Sequence, residues 1–233
     1  MKKLFFLLFM STLFVYACNN SSDSTDGDAT ENGGDSNDSD NPVSDVFKRY
    51  GIESGIVEYK MSGSQTGTET LQFDNYGMRE VKHTNTTMEV MGYKTETSTI
   101  SLFDGEWHYS WDPKTKQGTK MSEKMLFEMA EKYKTKDFKE IGEKMMESMG
   151  AKKLANETFL GKDCEVWEVE MANTKTWNWN GVTLKTETSM MGITINSEAT
   201  SIQDDVSIPE DKFAVPTDVT FTEVNMGSMG ASN

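Results

Sequence analysis

Thioethers are the most abundant soft donors in this chain. Seventeen methionines occur in 233 residues, and fifteen of them follow residue 17. Met125 and Met129 recur at a spacing of four, as do Met145 and Met149, which places each pair on one face of a helix. Three uses suit such a set. Flexible, polarizable side chains can fill an irregular core, line a groove that accepts varied apolar ligands, or give sulfur ligands to Cu(I). For the third use Met121, Met125 and Met129 would join Met145, Met146 and Met149. Sulfur donors must be exposed and clustered, whereas these sit on stripes that a helix ordinarily buries.

The other reactive side chains are few. His83 and His108 are the two histidines, and Cys18 and Cys164 the two cysteines. Nucleophilic catalysis needs a nucleophile, a base and an orienting acid in one place, and zinc needs three or four convergent ligands. The chain has no G-x-S-x-G, no H-E-x-x-H and no phosphate-binding glycine loop. His108 alternates with Trp107 and Tyr109, so it is expected to point away from their face as an exposed strand residue. Asp204-Asp205 could bind calcium or be a solvated strand end. No catalytic residue, metal site or cofactor site is assigned, and the reading is non-enzymatic.

The first residues are set apart by composition. Lys2 and Lys3 precede the apolar run Leu4 to Tyr16, and Val15-Tyr16-Ala17-Cys18 closes it. That is a secretory signal over residues 1–17, too short for a confident membrane span. Its end resembles a bacterial lipobox, which implies cleavage before Cys18 and acylation of its thiol, with palmitate-type chains as the membrane anchor. Residues 18–41 are rich in Ser, Asp, Gly and Asn, hold seven acids and no Lys or Arg, and read as a disordered acidic tether. Asp23, Asp26 and Asp28 resemble the surface-export signal of some Bacteroidota lipoproteins. Asp23-Ser24-Thr25 resembles an O-glycosylation site of that phylum. A solvated spacer accounts for the same residues.

What remains fits one domain, residues 42–224, with a loose tail over 225–233. Setting aside Lys2, Lys3 and the tether acids leaves a net charge of −10. That excludes a basic surface for nucleic acid and charge-driven docking on anionic headgroups. With Cys18 acylated, Cys164 has no partner and reads as a small buried apolar residue.

The elements follow from periodicity. Asn41-Pro42 with Val43, Val46, Phe47 and Tyr50 predicts a short helix. Val57, Tyr59 and Met61 alternate with Glu58 and Lys60, and Leu71 and Phe73 alternate with Gln72 and Asp74. These and later runs predict about eleven strands in antiparallel hairpins. Between them, Met121 to Gly150 steps by three and four: Met125, Leu126, Met129, Ala130 and Tyr133, then Phe138, Ile141, Met145 and Met149. This predicts two amphipathic helices, with Asp137 capping the second and Gly150 ending it. Their stripes need cover, and the sheet is the available cover. The predicted fold is α+β: a strongly curved antiparallel half-barrel covered by a helical hairpin lid.

Phe103-Asp104-Gly105-Glu106-Trp107 through Asp112-Pro113 resembles the "dG..w.ydp" hairpin of the LolA/LolB-like lipoprotein-carrier superfamily. Trp179 to Lys185, then Ile208-Pro209-Glu210-Asp211-Lys212-Phe213 and Val215-Pro216, resemble the closing part of that pattern. The resemblance runs from Tyr50 to Val224, and it extends to Bacteroidota outer-membrane lipoproteins with a domain of unknown function. It implies an acyl chain held between sheet and lid. On that basis Met125, Met129, Phe138, Met145, Met149, Trp107, Tyr109 and Trp167 are nominated as inward-facing ligand contacts. The chain is expected to be an outer-membrane, lipid-anchored protein, on the periplasmic face or the cell surface. A lipid or apolar small molecule is its expected partner, with an envelope protein possible and nucleic acid excluded. A structural or interaction lipoprotein with a filled core is the alternative.

Overall fold

A computed structural model of the chain describes residues 47–224 apart from Met91 and Met191. The signal, Cys18, the tether, residues 42–46 and the tail lie outside the described residues. Six strands come first: β1 (Gly55–Gly63), β2 (Gln65–Asp74), β3 (Arg79–Val90), β4 (Tyr93–Phe103), β5 (Trp107–Asp112) and β6 (Gln117–Ser122). Two helices follow, α1 (Lys124–Tyr133) and α2 (Phe138–Ser148). Then come β7 (Lys152–Lys153), β8 (Glu157–Phe159), β9 (Lys162–Val169), β10 (Thr174–Trp179), β11 (Val182–Met190), β12 (Ile193–Asp204) and β13 (Thr220–Glu223).

All of these strands belong to one sheet among the described residues, in the order β13-β6-β5-β4-β3-β2-β1-β12-β11-β10-β9-β7, with β8 pairing β9 off that path. Every pairing is antiparallel except β13 on β6. The sheet exceeds the expected eleven strands because β7 and β8 are too short to show a period in sequence. It is also open, with β13 and β7 at its ends, and it is not strongly curled. The half-barrel expectation is therefore corrected to a large, mostly antiparallel sheet carrying two helices.

Alternation decides what each strand buries. Val57, Tyr59, Leu71 and Phe73 meet Val166, Trp177, Val182, Leu184 and Ala199 in the main core, with Tyr50 and Cys164. Cys164 is buried and unpaired, as its sequence context suggested, and burial pushes its thiol up. Two long hairpins, β3–β4 and β11–β12, end in tight turns where Val90 pairs with Tyr93 and Met190 with Ile193. Gly92 and Gly192 supply the left-handed φ those turns require, 79° and 80°.

The helices fall where the spacing predicted. Asp137 caps α2, accepting a hydrogen bond from the Lys139 N–H at 2.9 Å. Gly150 follows its end with φ 77°. Met121, however, lies in β6 and not on α1, so only Met125 and Met129 of that run share a helix. The expected short helix does not extend into residues 47–50. Lys48 instead makes a parallel bridge to Asp137, donating its N–H to Lys136 O at 2.9 Å and accepting from Phe138 N–H at 2.7 Å. Backbone pairing to the turn between the helices outcompetes local helix propensity there.

Candidate functional site

The hairpin rests on one face of the sheet through a small nucleus. Met78, Phe103, Ala130, Phe138 and Ile141 are buried there, and Phe47, Leu126, Phe127, Met129 and Met145 are packed around them but only half-buried. Phe47 stacks on Phe138 at 5.3 Å, and Phe127 meets both rings edge-on at 5.2 and 5.4 Å. Lys139 of α2 ties the hairpin to Glu165 of β9 at 3.2 Å.

Beside this seat lies a charged cluster. Glu80 sits opposite Phe103 in the β3–β4 ladder. Its carboxylate meets Lys82 Nζ at 3.2 Å and Arg49 Nη1 at 3.4 Å, and the Tyr50 hydroxyl donates to it. Arg49 also donates to Gly77 O at 3.2 Å and lies 4.8 Å over the Phe103 ring. Burial alone would push the Glu80 carboxyl up; Lys82, Arg49 and the Tyr50 hydroxyl outweigh it and hold the group at about 2. Burial pushes the Tyr50 phenol well above its usual range, and Glu80 adds to that. Next door, Glu69 accepts from the Thr84 hydroxyl at 2.7 Å. A satisfied network of this kind rigidifies its surroundings and fixes one packing.

His108 belongs to this side of the sheet. It pairs with Phe103 across β4–β5, its Nδ1 is 3.7 Å from Glu123 Oε1, and burial, with Lys82 and Arg49 adding to it, holds the imidazole at about 4. The expectation of an exposed His108 is corrected. His83, by contrast, is exposed.

The same alternation sends Trp107 and Tyr109 to the other face, away from the hairpin. There Trp107 carries Lys120 Nζ at 4.2 Å, and Tyr109 and Trp111 pack on Phe221 of β13 at 5.1 and 5.9 Å. The inward placement that the resemblance implies for Trp107 and Tyr109 is therefore corrected with respect to the hairpin. Phe103 fixes the opposite parity, and β13 covers the aromatic side with its own ring.

The remaining nominees divide. Phe138 is buried in the seat, and Met129 and Met145 are half-buried around it. Met149 is half-buried at the end of α2, where its N–H reaches Met145 O and Met146 O. Met125 is 42% exposed, so it lies at the rim. Trp167 is buried in β9, on the face that also presents Glu165 to Lys139, with Lys153 Nζ 5.2 Å above its ring. The Glu80 cluster was missed by sequence reasoning because Glu80 and Lys82 alternate with Val81 and so read as a solvated face. Val81 is 2% exposed and Glu80 6%; β3 is covered on both sides.

Two clefts open elsewhere among the described residues. One, of about 580 Å³, is polar and lies between Glu53, Asp74, Arg79 and the segment Asp205–Ile208. Arg79 grips Asp74 there with two hydrogen bonds, at 2.7 and 2.6 Å. The other, about 230 Å³, lies along β3 and β4 near Lys114. Neither takes a residue from α1 or α2. Among the described residues no group of three or more His, Cys, Asp or Glu side chains could hold a metal ion. No described helix is long and apolar enough to cross a membrane.

No protein-family model matches the chain, and no curated protein matches it. Several solved structures do. An uncharacterized conserved protein from Thermus thermophilus matches at 3% identity and TM-score 0.47, covering 74% of this chain and 91% of that one. LprF from Mycobacterium bovis matches at 9% identity and TM-score 0.32, covering 70% and 90%. A putative outer membrane lipoprotein-sorting protein domain from Vibrio parahaemolyticus matches at 11% identity and TM-score 0.29, covering 71% and 91%.

Proposed function

We propose that this domain is a non-enzymatic envelope module that holds a lipid or another apolar ligand between the sheet and the α1–α2 hairpin. One observation carries the reading: the hairpin's apolar stripe is only partly satisfied. Of that stripe Ala130, Phe138 and Ile141 are buried, while Leu126, Phe127, Met129 and Met145 stay half-buried and Met125 and Tyr133 are exposed. An acyl chain entering there would complete the cover and gain about 0.8 kcal/mol for each CH₂ buried. Met129, Phe138, Met145 and Met149 are the contacts of this reading, with Trp167 on the sheet and Met125 at the mouth. Acylation of Cys18 would hold the module on the outer membrane, at the periplasmic face or the cell surface. The motifs that resemble the lipoprotein-carrier superfamily support the same reading.

Native mass spectrometry of the processed protein should show co-purifying lipid, and the protein should take up a fluorescent fatty acid. Met129→Asp with Met145→Asp should abolish uptake while leaving the β-sheet circular dichroism unchanged. Uptake that survives both changes would relocate the groove; a clean mass with no uptake would end the ligand reading. A second reading, a tethered scaffold with a filled core, is favoured by the seat itself, where Met78, Phe103, Ala130, Phe138 and Ile141 are buried in one cluster.

A further inference from the structure

The two most exposed large apolar side chains among the described residues are Tyr93, at 80%, and Met171, at 86%. Ladder register places both at one end of the sheet. The β1–β2 hairpin turns at Gly63–Gln65, where Gly63 pairs with Ile195 of β12 and Gln65 with Met88 of β3. The β3–β4 hairpin continues to the Val90–Tyr93 pair and the β11–β12 hairpin to the Met190–Ile193 pair. Each overshoots the shorter turn by two residues, about 7 Å. Met171 lies in the turn Glu170–Ala172, and that turn is held beside the β11–β12 tip, since Ser189 N–H donates to Asn173 O at 3.0 Å. Met88, Met190 and Ile193 stand half-buried behind these two points. By strand count Tyr93 and Met171 are about 30 Å apart across the sheet.

We propose that these tips are a second membrane contact: the Tyr93 and Met171 ends dip into the headgroup region of a lipid bilayer and stand the strands upright on it. The apolar side chains sit on narrow, separated points. Among the described residues Tyr93 and Met171 stand as single exposed points and not as one face on which a partner could bury the roughly 800 Å² a side of a stable interface. A fluid interface accepts separated points, and Tyr is suited to it by its apolar ring and polar tip. Nearby charges are mixed and paired, as in Lys94–Glu96 and Lys152–Glu170, so the contact needs no anionic lipid. With Cys18 acylated, the 29 residues from there to Phe47 reach at most about 100 Å, which keeps the tips within range of the surface.

The test uses the processed chain from residue 18 with Cys18→Ser, so that no lipid anchor contributes. An environment-sensitive nitrobenzoxadiazole label is attached at Tyr93→Cys, at Met171→Cys or, as a control at the opposite end of the sheet, at Glu106→Cys. Cys164 is buried and leaves the label to the new thiol. On adding neutral phosphatidylcholine vesicles, labels at 93 and 171 should shift to the blue and brighten at least about twofold, as for side chains that enter the interface, while the label at 106 stays unchanged. Tyr93→Asp with Met171→Asp should lower co-flotation with the same vesicles at least about fivefold, with fatty-acid uptake retained. Equal responses at all three positions, or none, would overturn the proposal. So would a response that appears only when envelope proteins are built into the vesicles, which would assign the tips to a protein partner.

Discussion

The sheet's own core and the seat of the helical hairpin are built to different standards. The core joins eleven buried residues, Tyr50 and ten from β1, β2 and β9–β12, and Phe73, Val182 and Leu184 are fully enclosed. The seat joins five, and most of what surrounds them is half in solvent. Regions with few buried apolar contacts open at lower free energy than the molecule as a whole. The sheet can therefore stay folded while the hairpin lifts, which a carrier requires and a filled scaffold does not.

This contrast can be broken from either side. Phe73→Ala removes a fully buried ring from the core and should cost about 4 kcal/mol. It should lower the melting temperature of the whole domain in a single transition. Acid should act next. The carboxyl of Glu80 is depressed in the folded state, so its contribution is complete above the ordinary Glu range and fades as pH falls from about 4.5 towards 2, by about 3 kcal/mol. His108 is held neutral, so stability also falls between pH 6.5 and 4, where the unfolded chain binds the proton more readily. Denaturant midpoints against pH should show both windows, and Glu80→Gln should remove the lower one. Ile141→Ala should have the smallest global effect. We expect about 2 kcal/mol, felt by the hairpin alone. Hydrogen exchange should then quicken across α1 and α2 and stay slow in β1 and β2; uniform quickening would mean that the two regions unfold together.

Much of the architecture was legible because periodicity reports burial. Val57-x-Tyr59 and Leu71-x-Phe73 alternate, and Phe138, Ile141 and Met145 step as a helix does, so both element types were visible. Which face of a strand meets which cover was not visible. Trp107, Tyr109 and Trp111 outweigh Phe103 and His108 in apolar content, yet parity gives the hairpin to Phe103. The ring that packs on Tyr109 and Trp111, Phe221, arrives about a hundred residues later on a parallel edge strand. The Glu80 cluster was hidden for a related reason: alternation of charged and apolar residues is the mark of a half-solvated strand, and a strand covered on both faces can carry it only when every charge is paired. Met125 shows the converse, a residue on the helical stripe that is left 42% exposed at the rim.

The N-terminal segment has a mechanical meaning. The chain's first described contacts clamp the bend between the helices, through the Lys48–Asp137 bridge and the Phe47–Phe138 stack. Any pull arriving from the N-terminal side is delivered to that bend before it reaches a strand of the sheet. A load applied at Phe47 would thus be felt first in the seating of the two helices, and only then in the strands.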